Sequence, residues 1–147
     1  MKKLLCFLAL CALAAAPLFS QNAEEIEALL SRDAVTYEEA VWFVLRIAEI
    51  PGLEDSAAAY DYALEQNWLP PEAAPDAAAR LDGVSLLFMQ SFGYSGGAMY
   101  TLTKSPRYAY RELVYLGIIQ GRTEPAMNVS GEILLYMAGR VLSGAGE

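Results

Sequence analysis

The sequence predicts an all-α fold: a compact helical domain built from two full helix–loop–helix repeats and one truncated repeat. Three observations carry this. One helix is written three times, as VTYEEAVWFVLRIAE from Val35, LDGVSLLFMQSFG from Leu81 and VSGEILLYMAGRVLS from Val129. A second helix type precedes two of the copies: DSAAAYDYALEQNWL over residues 55–69 and SPRYAYRELVYLGII over residues 105–119. No segment reads as a strand, the TLT of residues 101–103 being too short. Copies recurring at 46 to 48 residues are the signature of a repeat architecture.

Residues 1–20 read as a secretory signal peptide. Lys2 and Lys3 form its charged start, an apolar run extends from Leu4 to about Ala16, and Pro17 breaks it. Cleavage is expected after Ser20, with Ala23 as the alternative. The run is shorter than the ~20 residues of a membrane-spanning helix. Both cysteines, Cys6 and Cys11, lie inside this leader. Leu10 is too large for the position before a lipidated cysteine, so Cys11 is not expected to carry a lipid. Residues 21–147 then form a single all-α repeat domain without disulfides, exported to the periplasm or the cell surface.

AEEIEALLSRD, residues 23–33, supplies a short leading helix. In the first copy Thr36 and Glu39 form a capping box, Val41, Val44, Leu45 and Ala48 repeat on one face, and Pro51-Gly52 stops the helix. Asp82 and Ser130 are the expected caps of the other copies. On that alignment Ala40, Leu86 and Leu134 are equivalent, then Val41, Leu87 and Leu135, then the aromatics Trp42, Phe88 and Tyr136. Val41, Leu87 and Leu135 are therefore expected to converge in one core. In the second helix type Ala59-Tyr60 matches Ala109-Tyr110, and Asn67 matches Gly117. Asn and Gly enter the left-handed region most readily, so both read as helix ends. Ser105-Pro106 is a good helix start. The main helices are expected near 36–50, 56–68, 82–92, 106–117 and 130–142. Pro70 to Pro75, Gly93 to Gly97 and Gly121 to Pro125 connect them. Tyr60, Tyr110 and Tyr136 are expected in the core, whereas Tyr94 and Tyr100, flanking the glycine loop, are expected at the surface.

These units resemble S-layer homology repeats. The third unit carries the likeness: SPRYAYRELVYLGIIQG, a loop with Pro125, then NVSGEILLYMAGRVL. The second matches more loosely, with QNWLP in place of the Gly-Ile-Ile turn, and the first is truncated. The resemblance implies a pseudo-threefold helical bundle in an exported envelope protein. It also implies a cell-envelope polysaccharide or peptidoglycan as partner. The family reads its polymer with a Thr-Arg-Ala-Glu-like start to the capped helix. Here the arginine position holds Tyr37, Gly83 and Gly131, and only Glu39 keeps the acid, against Ser85 and Ile133.

The net charge is −8, and loss of Lys2 and Lys3 makes the chain more acidic still. Such a chain is not a nucleic-acid or anionic-membrane binder. The charge is uneven: residues 21–76 hold 13 acids and 2 bases, and residues 77–147 hold 5 acids and 6 bases. The absence of histidine, and of cysteine beyond the leader, removes His-based triads, thiol nucleophiles and ordinary zinc sites. No calcium-type ladder surrounds Glu54-Asp55 or Asp76. Glu38 and Glu39 read as first-turn acids rather than a glycosidase pair. Ser105 beside Lys104 is explained as a helix cap. No cofactor, metal or catalytic residue is expected. The best candidate surface is Lys104, Arg107, Tyr108, Arg111 and Arg122, because Arg107 and Arg111 share a helix face flanked by an aromatic ring. Such a surface suits an acidic sugar; the alternative is that these bases pair with the acidic N-terminal half. Two functions follow: a non-catalytic envelope module that binds a wall polymer, or an adaptor docking another exported protein. An envelope hydrolase ranks last.

Overall fold

The computed structural model describes residues 23–145. The leader expected over residues 1–20, its cleavage after Ser20 and Cys11 lie outside them. The described residues form seven helices and no strand. They are α1 (residues 23–30), α2 (Tyr37–Ile47), α3 (Ser56–Glu65), α4 (Leu81–Ser91), α5 (Ala98–Thr103), α6 (Pro106–Tyr115) and α7 (Gly131–Leu142). The fold is all-α as expected, and each of the five main helices is present with trimmed ends. α5 was not foreseen. It is six residues long and lacks a side-chain cap, so only its burial of Tyr100 marks it.

At the centre lies a ring of backbone hydrogen bonds. Val35, Ala79 and Val129 each sit just before the N-cap of a main helix, and each is fully buried. The N–H of Val35 donates to the carbonyl of Val129 (2.8 Å), that of Val129 to Ala79 (2.9 Å), and that of Ala79 to Val35 (2.8 Å). Loops then close neighbouring helix starts. Tyr37 and Glu38 donate to the carbonyls of Ala77 and Pro75, Leu81 and Asp82 to those of Met127 and Pro125, and Gly131 to that of Arg32. The first-turn donors that a helix cannot satisfy itself are thus met by the adjacent unit. α3 packs on α2, α6 on α4, and α2 on both α4 and α7.

α2 has the expected capping box: Thr36 Oγ1 accepts from Glu39 N–H (3.2 Å), and Glu39 Oε2 accepts from Thr36 N–H (2.9 Å). Ser130 caps α7 in the same way through Ile133 N–H. α4 differs. Its N-cap is Arg80, without a side-chain cap bond, and Asp82 lies inside the first turn. The expected alignment of this copy is therefore wrong by two residues. The helix starts early because Arg80 bridges to Asn128 and the 125–127 carbonyls take its first donors, so no cap side chain is required. The shift redistributes the core. Phe88 becomes the counterpart of buried Val44 and Ala138 and is itself fully buried. Leu135 is only partly buried, so the core is built from Val41, Leu87, Leu134 and Met137. Tyr136 is half-exposed, its hydroxyl donating to Gln120 Oε1 (2.8 Å). The family's arginine position in this copy becomes Leu81 rather than Gly83.

α3 and α6 are each tied to the loop that follows by a tyrosine hydroxyl. The Tyr60 hydroxyl donates to the Ala73 carbonyl, and the Tyr110 hydroxyl to the Thr123 carbonyl. Asn67 (φ 57°) and Gly117 (φ 71°) are left-handed, as expected. Trp68 and Ile118 N–H then donate to the Ala63 and Leu113 carbonyls, folding the following apolar residues back on each helix. Ser105 does occupy the N-cap of α6 with Pro106 first in the helix, but its hydroxyl makes no capping bond.

Gly131 is required by close approach: a Cβ there would stand 1.7 Å from the Leu29 carbonyl oxygen. Gly139, also in α7, has open space around it. Gly131→Ala should therefore lower stability by about 1–3 kcal/mol through overpacking. Gly139→Ala should raise it by about 0.5–1 kcal/mol through helix propensity. Urea midpoints of the two variants check the contrast. Circular dichroism should show Val41→Asp and Leu87→Asp unfolded, because a buried unpaired charge is severely costly, with Leu135→Asp still helical.

Candidate functional site

α6 positions the predicted basic cluster. It buries Ala109 and Leu113 and turns Arg107 and Arg111 to solvent. Tyr108 is half-buried between these faces, and the Arg111 guanidinium lies 5.8 Å from its ring centroid. Arg122 is exposed on the following loop, next to Thr123, which Tyr110 ties to α6. Lys104 stands apart from the α6 face. It is the left-handed C-cap of α5 (φ 49°), and its ammonium lies 4.7 Å from the Tyr100 ring centroid. The structure therefore brings Arg107, Tyr108 and Arg111 together and sets Lys104 and Arg122 at the flanks.

The acidic half does not neutralise this cluster. The ion pairs among the described residues are Arg32–Glu39 (2.7 Å), Arg46–Glu25 (2.5 Å) and Arg80–Asp82 (2.8 Å). None involves Lys104, Arg107, Arg111 or Arg122. Glu39 is held by Arg32 and by the capping box, and Glu38 accepts from Ser56 Oγ (2.5 Å). Both first-turn acids are thus engaged locally.

Two hollows escaped sequence reasoning. A groove of about 490 Å³ runs between α1 and α2, lined by Ile26, Leu29, Trp42, Phe43 and Ile47. The Glu25–Arg46 pair spans from α1 to α2, and the Arg32–Glu39 pair ties the segment after α1 to α2. The Arg46 guanidinium lies 5.1 Å from the Trp42 ring centroid. The helical spacing of Trp42, Arg46 and Phe43 was visible, but nothing in the sequence marked the truncated unit as leaving them half-open. A second hollow of about 570 Å³ gathers Glu38, Glu54, Asp55 and Asp76 at the starts of α2 and α3. Glu38 and Asp76 are far from the Glu54-Asp55 pair in sequence. Among the described residues no group of three or more acidic side chains is arranged to hold a metal ion, and no helix is long and apolar enough to cross a membrane.

Tyr100, expected at the surface, is fully buried. Its ring lies over Gly96, where a Cβ would come within 2.5 Å, and its hydroxyl accepts from Gln90 Nε2 (2.9 Å). Burial is the main cause that pushes its phenol up to about 12, against the lowering effect of the Gln90 bond. Burial likewise raises Tyr37, whose hydroxyl accepts from the Arg80 N–H (3.3 Å), and Tyr60.

Comparison of the chain with protein-family models, with curated proteins and with solved structures finds no match.

The alkaline limit of the fold follows from Tyr100. The folded state holds this proton more tightly than the unfolded chain does. The resulting stability is complete below about pH 10 and lost as pH rises through about 12. Phenolate absorbance followed together with circular dichroism should show Tyr100 ionising late, in step with loss of helix, with Tyr37 and Tyr60 also displaced upward. Ionisation of every tyrosine near pH 10 with the helices intact would contradict the burial.

Proposed function

We propose that this chain is a non-catalytic exported module of the cell envelope that binds an anionic wall polymer through the outer face of α6. The observation that carries this is the cluster of Arg107, Tyr108 and Arg111 in an acidic protein, exposed and without an acid partner among the described residues. Guanidinium groups recognise carboxylate and phosphate through paired hydrogen bonds, and an adjoining ring offers a stacking surface. Lys104 and Arg122 extend the field at either end. The closed ring at Val35, Ala79 and Val129 supports the S-layer-homology-like, pseudo-threefold reading, since three equivalent chain positions meet there in cyclic order. Sequence departures at the family's own recognition arginine move the expected contact surface away from the capped helices and towards α6. A second reading, an adaptor for another exported protein, is favoured by the apolar α1–α2 groove.

Co-sedimentation with purified cell-wall sacculi separates the two. Binding is expected, and it should weaken as salt rises because exposed charges are screened over about 8–10 Å near physiological ionic strength. Replacing Arg107 and Arg111 with Ala should reduce binding, while stability changes by no more than the ~1 kcal/mol an exposed ion pair is worth. Absence of sedimentation, together with specific retention of one exported protein that Trp42→Ala abolishes, would favour the adaptor. A large drop in melting temperature of the arginine variant would make those arginines structural.

A further inference from the structure

α5 has no counterpart between α2 and α3. That connection takes eight residues, 48–55, whereas α4 and α6 are joined by fourteen, 92–105, and α5 fills six of them. An amphipathic helix on a protein surface turns its apolar side inward. α5 does the reverse. Tyr100 is its one buried residue. Met99 and Leu102 are three apart, hence on one face, and both are turned to solvent. Leu102 is 81% exposed, more than any other aliphatic side chain among the described residues, and Met99 is 49% exposed.

The polar side chains of α5 are turned the other way. The Thr101 hydroxyl donates to the Ser95 carbonyl (3.0 Å) and that of Thr103 to the Met99 carbonyl (2.7 Å). Thr103 Oγ1 also accepts from the Ser105 N–H (3.3 Å). Hydroxyls that already have partners cost less to take out of water than free ones. The charge along this part of the chain is of one sign. Residues 83–111 hold Lys104, Arg107 and Arg111 and no acid. Lys104 ends α5 two residues after Leu102, its ammonium 4.7 Å from the Tyr100 ring centroid. Glu112 lies at the opposite end of α5, its carboxylate beside Gly97.

We infer that α5 is a membrane-contact element: Met99 and Leu102 enter the boundary between headgroups and acyl chains of an anionic bilayer, and Lys104 stays at the phosphates. This goes beyond the wall-polymer reading and concerns a different surface. Burial of apolar side chains and attraction of cations to anionic lipid are the two parts of interfacial binding. A lysine stem can lie along the apolar layer while its ammonium remains in the headgroups. A saccharide would leave Met99 and Leu102 without an apolar partner. A protein partner fits less well. A stable interface takes about 800 Å² from each side, and its anchors are mostly Trp, Tyr and Arg, with leucine under-represented. α5 offers two aliphatic side chains on a six-residue helix. The net charge of −8 opposes an anionic surface for the chain as a whole. That opposition is local, because exposed charges are screened over about 8–10 Å. α5 packs on α6, whereas the acidic hollow lies at the starts of α2 and α3.

The test is partitioning of the purified protein onto vesicles of equal parts phosphatidylethanolamine and phosphatidylglycerol, with phosphatidylcholine vesicles as the zwitterionic control. The anionic vesicles should bind at least about fivefold more tightly, the effect of one cation near an anionic surface. Leu102→Gln should weaken that binding about tenfold. Lys104→Gln should bring it close to the phosphatidylcholine level. Both side chains are exposed, so both variants should remain as helical as the parent by circular dichroism. In Leu102→Trp, brominated lipid should quench an indole that is absent from the parent, whose Trp42 and Trp68 lie outside α5. All variants share one N-terminus, so any lipid affinity of the expected leader is common to them. Sacculus binding by Leu102→Gln should equal the parent's, since Arg107 and Arg111 are untouched, which keeps this inference separable from the wall-polymer reading. Partitioning of Leu102→Gln like the parent, equal binding of the parent to both vesicles, or no binding to either would overturn the inference. So would dimerisation in sedimentation equilibrium, or retention of another exported protein, that Leu102→Gln abolishes while vesicles are not bound.

Discussion

Everything in this fold hangs on three backbone amides that have no water. Val35, Ala79 and Val129 are fully buried, and a buried N–H or C=O without a partner costs as much as a lost hydrogen bond. They stand outside the helices, and the described residues there form no strand, only the isolated antiparallel bridges Thr36–Ala78 and Arg80–Asn128. The cyclic arrangement resolves this with the minimum of chain: three donors meet three acceptors, each unit giving one bond to the next and taking one from the last. The same segments then supply carbonyls to neighbouring helix starts. Capping in this molecule is therefore mostly a tertiary matter, which is why α4 begins well at an arginine.

The ring has an electrostatic consequence. Two residues beyond each ring position a main helix begins, so the starts of α2, α4 and α7 converge, and their positive dipole ends are brought together. Each of these helices carries acid in its first turn: Glu38 and Glu39, Asp82, and Glu132. Negative charge there offsets the meeting of like poles. α3 and α6 lie outside this convergence, and neither has a first-turn acid. Part of the chain's acidity is thus structural, and the outer helix α6 carries Arg107 and Arg111, neither in an ion pair among the described residues.

The sequence made the helical class and several atomic details legible. The Thr36–Glu39 box, the left-handed Asn67 and Gly117 and the paired roles of Tyr60 and Tyr110 all follow from local chemistry that residue types announce. The failures share one cause, which is that tertiary partners replaced local signals. Asp82 looked like the cap of α4 because aspartate is a strong capping residue, but the 125–128 segment supplied the capping groups through space. Leu135 keeps its alignment with Val41 yet is only partly buried, because burial at that position is set by the neighbouring elements and not by the helix pattern. Tyr100 looked exposed beside glycines, yet Gly96 is what allows its ring to lie against the chain. For the site, Arg107, Tyr108 and Arg111 were readable from spacing alone. The separation of Lys104 onto α5 was not, because it depends on a left-handed turn, and neither hollow could be seen before distant segments met.

A cycle, unlike a stack, has a fixed number of members. In open solenoids each repeat touches only its neighbours, and units can be added at the ends without disturbing the rest. Here the bond from Val35 to Val129 closes a ring between distant parts of the chain, and each of its three amides is already paired. Loss of any one of the three segments would leave the other two with one unpaired amide and one unpaired carbonyl. Its assembly must also wait for the contact between distant parts of the chain, since loop closure has to be met before that bond contributes anything. Partial products of synthesis that end before Val129 would leave the Val35 amide and the Ala79 carbonyl without their partners. The molecule should accordingly form late and all at once, rather than unit by unit.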